Sequence, residues 1–220
     1  VQGFQVQSGT AQLSNPDGDA LHISGKAGAR IGTPVFAPSL EVAEYFEKAH
    51  YKLMASPRIF PGQQVYAGVS SADANLYIAY YGDGDEPCYV DVDSPDDALN
   101  PSLHVPTVPG PIFEVGLRLN RDVSLQLDHV GWHGNPEVTF ERPKHKGLMW
   151  KRAWVDAVDQ LVGWSEMFRL VQNEGLGMIS QGTREWTNYV VNADVTPHLV
   201  SRAGIAARGQ GLTRFYALMV

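Results

Sequence analysis

Four groups of residues have types and spacings that suit chemistry: close aspartates, spaced histidines, separated carboxylates and clustered aromatics. Asp17 and Asp19 stand in one Asp-Gly-Asp turn, and Asp83 and Asp85 in another. Carboxylates this close on a turn suit calcium, a hard cation that gathers roughly six to eight oxygens. No complete calcium-loop pattern is present, and Asp and Gly also occupy hairpin turns because they tolerate positive φ. Asp83 and Asp85 are therefore candidate metal ligands for a structural calcium, with turn formation as the rival explanation. His129 and His133 flank Trp132 and would share one face of a regular strand. A zinc site would need a third ligand such as His145, and spaced histidines otherwise serve as surface residues. Glycoside hydrolysis needs two carboxylates at a set separation. Glu114 with Asp128, or Glu185 with Asp194, are the candidates, but sequence gives no distance. Aromatic rings pack on the apolar faces of sugars and bases. That makes Tyr77, Tyr81, Trp186 and Tyr189 candidate ligand platforms, with core packing the alternative.

Signatures of common enzymes are missing. The chain has no G-x-S-x-G elbow, P-loop, H-E-x-x-H or C-x-x-C. Gly209-Gln210-Gly211 is a glycine turn between two strand-like runs and opens no helix, so it is no dinucleotide fingerprint. The single cysteine, Cys88, allows no internal disulfide. No apolar run is long enough to cross a bilayer as a helix. The chain starts at Val1 without a signal-peptide pattern. A cytoplasmic location is the expectation, with the start either removed or cut from a longer chain.

The net charge of −7 is uneven. Between Arg58 and Arg118 there is no Lys or Arg, and nine carboxylates, from Asp73 to Glu114, fall in that stretch. Such a flank repels phosphate backbones, whereas nucleic-acid binding needs a basic face. Neither a nucleic acid nor a membrane is an expected partner.

The elements that must position these residues are strands. Up to about residue 142, short alternating runs are separated by turns every 8–12 residues or so, as sandwiches require. Expected strands are Ala11–Ser14, Ala20–Ser24, Thr33–Ala37, Tyr51–Phe60, Gln64–Ser70, Leu76–Tyr81, Cys88–Asp93, Ile112–Asn120 and Val123–Val130. Glu41–His50 has apolar residues at helical spacing. In Ile112–Asn120, Val115, Leu117 and Leu119 face one way, while Glu114 and Arg118 face the other. Trp150–Val162 again shows helical spacing and reads as a short helix or an irregular crossing segment. Beyond it, Phe168–Gln172, Leu176–Gln181, Asn188–Val195, Ala203–Arg208 and Phe215–Val220 read as strands. The expected organisation is all-β: a jelly-roll-like sandwich over 1–142, a linker with a short helix over 143–164, and a partial second sandwich over 165–220. The last run ends in a strand at Val220, an open apolar edge suited to self-association or to cover by more chain.

Several stretches resemble the C-terminal region of bacterial, chiefly actinobacterial, ADP-ribosylglycohydrolase-family proteins. They are Trp150–Asp159, Phe168–Asn173, Gln181–Tyr189, Ala193–His198 and Ala203–Arg208, with Tyr51–Ser56, Pro61–Gln63, Glu114–Leu117 and Leu127–Trp132 in the first part. The pattern from Trp186 to Thr196, followed by Ala203–Arg208, also resembles concanavalin-type or laminin-G-like sandwiches that handle glycans. The resemblance implies an accessory region of a hydrolase that binds carbohydrate or an ADP-ribosylated ligand. The family's catalytic domain is helical and holds magnesium with clustered aspartates. Nothing here matches that motif, so the resemblance carries over no catalytic residue and places magnesium only in a missing catalytic domain. A concanavalin-like glycoside hydrolase and a protein-interaction module are the rival expectations.

Overall fold

The computed structural model describes residues 3–35, 57–69, 73–92, 101–140, 147, 149–152, 154–164, 167–183, 186–210 and 212–220. Ten strands between Gln5 and His133 form two five-stranded antiparallel sheets. The first sheet runs β1 (Gln5–Ser8), β4 (Arg30–Pro34), β9 (Ile112–Leu119), β6 (Ala74–Tyr81) and β7 (Pro87–Val92). The second runs β2 (Ala11–Ser14), β3 (Leu21–Gly25), β10 (Val123–His133), β5 (Gln64–Val69) and β8 (Ser102–His104).

The pairings explain the topology. β3 pairs with β10, β4 with β9, β5 with β8 and β6 with β7. Each pair nests inside the one before, so the chain behaves as one long hairpin rolled over itself. That is the jelly-roll arrangement. β1 with β4 and β2 with β3 nest in the same way and add a strand to one edge of each sheet.

Alternation supplies the core. Val115, Leu117 and Leu119 of β9, Leu76 and Ile78 of β6 and Ile31 of β4 are buried from the first sheet. Leu21 and Ile23 of β3, Leu125 and Leu127 of β10, and Val65, Ala67 and Val69 of β5 meet them from the second. Each fully buried Leu or Ile contributes about 1.5–3 kcal/mol of transfer free energy. β1 and β8 escaped the sequence reading because they are short edge strands; β1 buries no side chain.

β10 holds the feature that matters most for the site. Its register against β5 slips between Leu127 and His129, a β-bulge. Before the bulge, Leu125 and Leu127 point into the core. After it, Val130 and Trp132 pack against the core, while Asp128 and His129 are both exposed. The extra residue inverts the parity of the strand, as bulges do beside sites.

Beyond residue 140 the architecture changes. Of the two readings of Trp150–Val162, the short helix is a single turn, α1 (Met149–Arg152), and the rest is β11 (Val155–Ala157) and β12 (Gln160–Trp164). Val155, Val158 and Val162 are β-branched and weak helix formers, and Asp156 and Leu161 are buried at strand positions. β12 forms a hairpin with β13 (Met167–Val171), β11 pairs with β14 (Met178–Ser180), and β15 (Gly204–Ala207) pairs with β16 (Tyr216–Met219). Among the described residues these are three separate two-stranded ladders, without the continuous sheets of a second sandwich. Asn188–Val195 joins no ladder, and Val190 is 84% exposed. Glu41–His50 and residues 51–56 lie outside the described residues; residues 57–60 are not strand.

Core and ladders should therefore respond differently to truncation. Leu117→Ala, in the middle of the sandwich core, should cost about 2–5 kcal/mol in urea unfolding. Leu218→Ser, on the exposed ladder, should stay within about 0.5 kcal/mol of the parent.

Candidate functional site

A cleft opens where the sandwich meets the chain that follows the jelly roll. Its floor is a turn over Phe60–Gln63. Gln63 is buried and clamps three segments. Its Oε1 accepts from the Phe60 amide at 2.9 Å, and its Nε2 donates to the Gly134 carbonyl at 3.2 Å. The Val105 amide donates to the Gln63 carbonyl at 2.8 Å, and the Glu137 amide donates to the Pro61 carbonyl at 2.8 Å. Gly62 sits at φ +87°, with the Glu137 backbone where a Cβ would stand, so only glycine closes this turn against the 134–137 segment.

Trp186 forms the opposite wall. Its amide donates to the Thr183 carbonyl at 3.3 Å, and its ring meets Phe60 edge-on at 4.9 Å and Tyr189 at 6.0 Å. Gly182, at φ +119°, lies under the ring; a Cβ there would stand 2.9 Å from it. The Trp186 Nε1–H is buried and has no acceptor among the described residues. The cleft measures about 330 Å³, and Trp132, His133, Asn135, Thr183 and Trp186 line it. Two indole rings, an amide and a hydroxyl thus border one space, with His133 at its edge. Such a mixture of flat apolar surface and a few polar groups is the chemistry of a small-molecule site.

The bulge in β10 brings Trp132 into this wall. Without it, Trp132 would point to the outer face of its sheet and His129 and His133 into the core. With it, the two histidines share the outer face, as their spacing predicts, and flank Tyr66 at 5.7 and 5.4 Å. Among the described residues no three His, Cys, Asp or Glu side chains converge on one point. His145 lies outside the described residues.

The four aromatic candidates separate. Trp186 lines the cleft, and Tyr189 packs behind it with its hydroxyl accepting from the Arg208 amide at 2.9 Å. Tyr77 is a correction: it is fully buried, so its ring offers no platform. Tyr81 is half-buried and stacks on Phe113 at 4.3 Å, and neither residue borders the cleft. Asp83 and Asp85 occupy the β6–β7 turn, closed by the Gly82 amide donating to the Glu86 carbonyl at 2.8 Å. Asp85 has φ +71°, which suits the turn-forming explanation of this aspartate. Glu114 and Asp128 lie on different sheets, with Glu114 on the outer face of the first, so they form no catalytic pair. Glu185 lies outside the described residues.

Trp132 and the Phe60–Gln63 turn were not among the candidates. The signal was present: apolar residues occupy odd positions up to Leu127 and even positions from Val130. That switch marks a bulge.

Glu114 and Tyr77 belong to a polar cluster on the outer face of the first sheet. The Tyr77 hydroxyl donates to Glu114 Oε1 at 2.6 Å. Arg30 donates to Asp91 at 3.0 Å, Arg118 stands 3.3 Å from the same oxygen, and the Tyr89 ring covers the Arg30 guanidinium at 4.5 Å. Gly32 and Gly116 leave the room: a Cβ on either would overlap Tyr77. Burial pushes the Glu114 carboxyl above its usual range, against the opposing pull of the Tyr77 hydrogen bond. Burial, and then the bond to Glu114, push the Tyr77 hydroxyl up strongly.

No protein-family model matches the chain, and no curated protein matches it significantly. Among solved structures it is similar to the CBM22-1 xylan-binding domain of Xyn10C from Paenibacillus barcinonensis. The identity is 12% and the TM-score 0.34, over 60% of this chain and 85% of that one. A likeness so remote has no bearing on ligand or site.

The Tyr77–Glu114 pair gives a pH test. Glu114 binds its proton more tightly folded than unfolded, so its contribution to stability is full below the ordinary carboxyl value of 4.5 and declines as pH rises through the folded value. Tyr77→Phe removes the donor that favours the carboxylate. It should cost about 1–3 kcal/mol at neutral pH, with less lost at pH 4, as read by urea unfolding at both. An equal loss at both pH values would contradict the assignment.

Proposed function

We propose that this chain is a non-catalytic carbohydrate-binding module and that the cleft between Trp132 and Trp186 holds the sugar. One observation carries the reading: two indole rings from different parts of the chain share a cleft with an amide and a hydroxyl. A pyranose or furanose ring has an apolar face that stacks on such a ring and hydroxyls that need planar polar partners.

The resemblance to ADP-ribosylglycohydrolase-family proteins supports an accessory role. The module would hold a glycan or an ADP-ribosylated ligand near a catalytic domain elsewhere in a longer protein. The isolated chain should then release neither sugar nor ADP-ribose at ordinary enzyme rates. Release at such rates would overturn the non-catalytic reading.

Binding is tested by calorimetric titration with the best ligand from a glycan array. Trp186→Ala should weaken affinity at least about 30-fold, as loss of a central aromatic anchor does. Far-UV dichroism should be unchanged, because the sandwich core does not include this ring. Unaltered affinity in the folded variant would remove the cleft as the site.

A further inference from the structure

Trp132 borders two clefts. Besides the one it shares with Trp186, a second of about 220 Å³ lies on the seam between the two sheets, lined by Phe4, Thr33, Arg58, His129 and Trp132. Among the described residues, Arg58 is the only lining residue with a permanent charge. The sequence isolates this cation: no other Lys or Arg occurs until Arg118. Its side chain is exposed, and it makes no ion pair among the described residues. The other arginines on this sandwich are engaged: Arg30 and Arg118 with Asp91, Arg121 with Asp73.

We propose that the two clefts form one track across Trp132, and that the track takes a sugar chain bearing an anionic group, with the anion beside Arg58. The proposal rests on the carbohydrate reading and names its ligand class. Small-molecule sites typically span about 300–1,000 Å³. The first cleft is near the lower limit and the second falls below it, so neither accommodates an extended ligand alone. Joined through a shared indole, they reach the middle of that range. A guanidinium presents a planar fork that matches carboxylate, sulfate or phosphate oxygens two at a time. The nine carboxylates that follow Arg58 in sequence would otherwise repel an anion. A cation at the seam, with no ion pair among the described residues, lowers that barrier at one point.

The anion could be a uronate carboxylate, a sulfate ester or the pyrophosphate of an ADP-ribosyl group. A glycan array carrying neutral, uronate-bearing and sulfated oligosaccharides, with ADP-ribose titrated separately, distinguishes them. The parent chain and Arg58→Gln are compared at low and physiological salt. Arg58 is exposed, so the substitution should leave the fold unchanged. The parent should prefer one anionic class over its neutral counterpart by about ten-fold or more, and Arg58→Gln should erase that preference while leaving neutral binding intact. Trp186→Ala should weaken anionic and neutral ligands alike. Binding confined to neutral glycans, or an unchanged preference in Arg58→Gln, overturns this proposal and leaves the carbohydrate reading standing. Absence of binding to any sugar by the parent chain overturns both.

Discussion

A single extra residue in β10 decides where the chemistry sits. Strand side chains alternate with a period of two, so one inserted residue sends every later side chain to the opposite face. In β10 that inversion falls between Leu127 and His129. It leaves Leu125 and Leu127 in the core, turns Val130 and Trp132 toward it, and sends His129 and His133 outward. The cleft wall, the seam and the Tyr66–histidine face all follow from this one slip.

The rest of the sandwich holds that arrangement rigid. Nested pairing from β3–β10 inward to β6–β7 ties residues distant in sequence into two sheets with one core. The Gln63 amide spends its polar atoms on the Phe60 amide and the Gly134 carbonyl, so the chain leaving Trp132 cannot drift from the turn beneath it. On the far face, glycines at 32 and 116 let Tyr77 and Glu114 pair under Arg30 and Tyr89. The tyrosine hydroxyl there is spent on the Glu114 carboxylate and so on structure.

The ladders after residue 140 behave differently. They leave Tyr216, Leu218 and Val190 largely exposed, yet they bring Trp186 and Thr183 against the sandwich. Most sandwich strands were legible because alternation was strong, as in Val115, Leu117 and Leu119. The jelly-roll class was legible from turn spacing. The short strands Gln5–Ser8 and Ser102–His104 were not, because the first buries no face and the second is three residues long with one buried side chain, Leu103. Trp150–Val162 was legible only as far as its short first helical turn, because apolar residues at helical spacing can also fill two short strands with a turn between them. Trp186 was a candidate from its type alone, and the structure places it in the wall of the cleft. Tyr77 misled because a sequence does not reveal that two glycines on neighbouring strands have made room to bury it. Trp132 was hidden by the bulge, whose parity switch is visible only when odd and even positions are compared along the whole strand.

The central claim is that the bulge places Trp132 opposite Trp186 in one ligand-binding cleft. The five tryptophan indole N–H signals in a nitrogen–proton correlation spectrum report on it directly during titration with a bound glycan. The account predicts that the Trp132 and Trp186 signals move together along the binding curve while those of Trp150 and Trp154 stay in place. A ligand that binds without moving either Trp132 or Trp186 would contradict it.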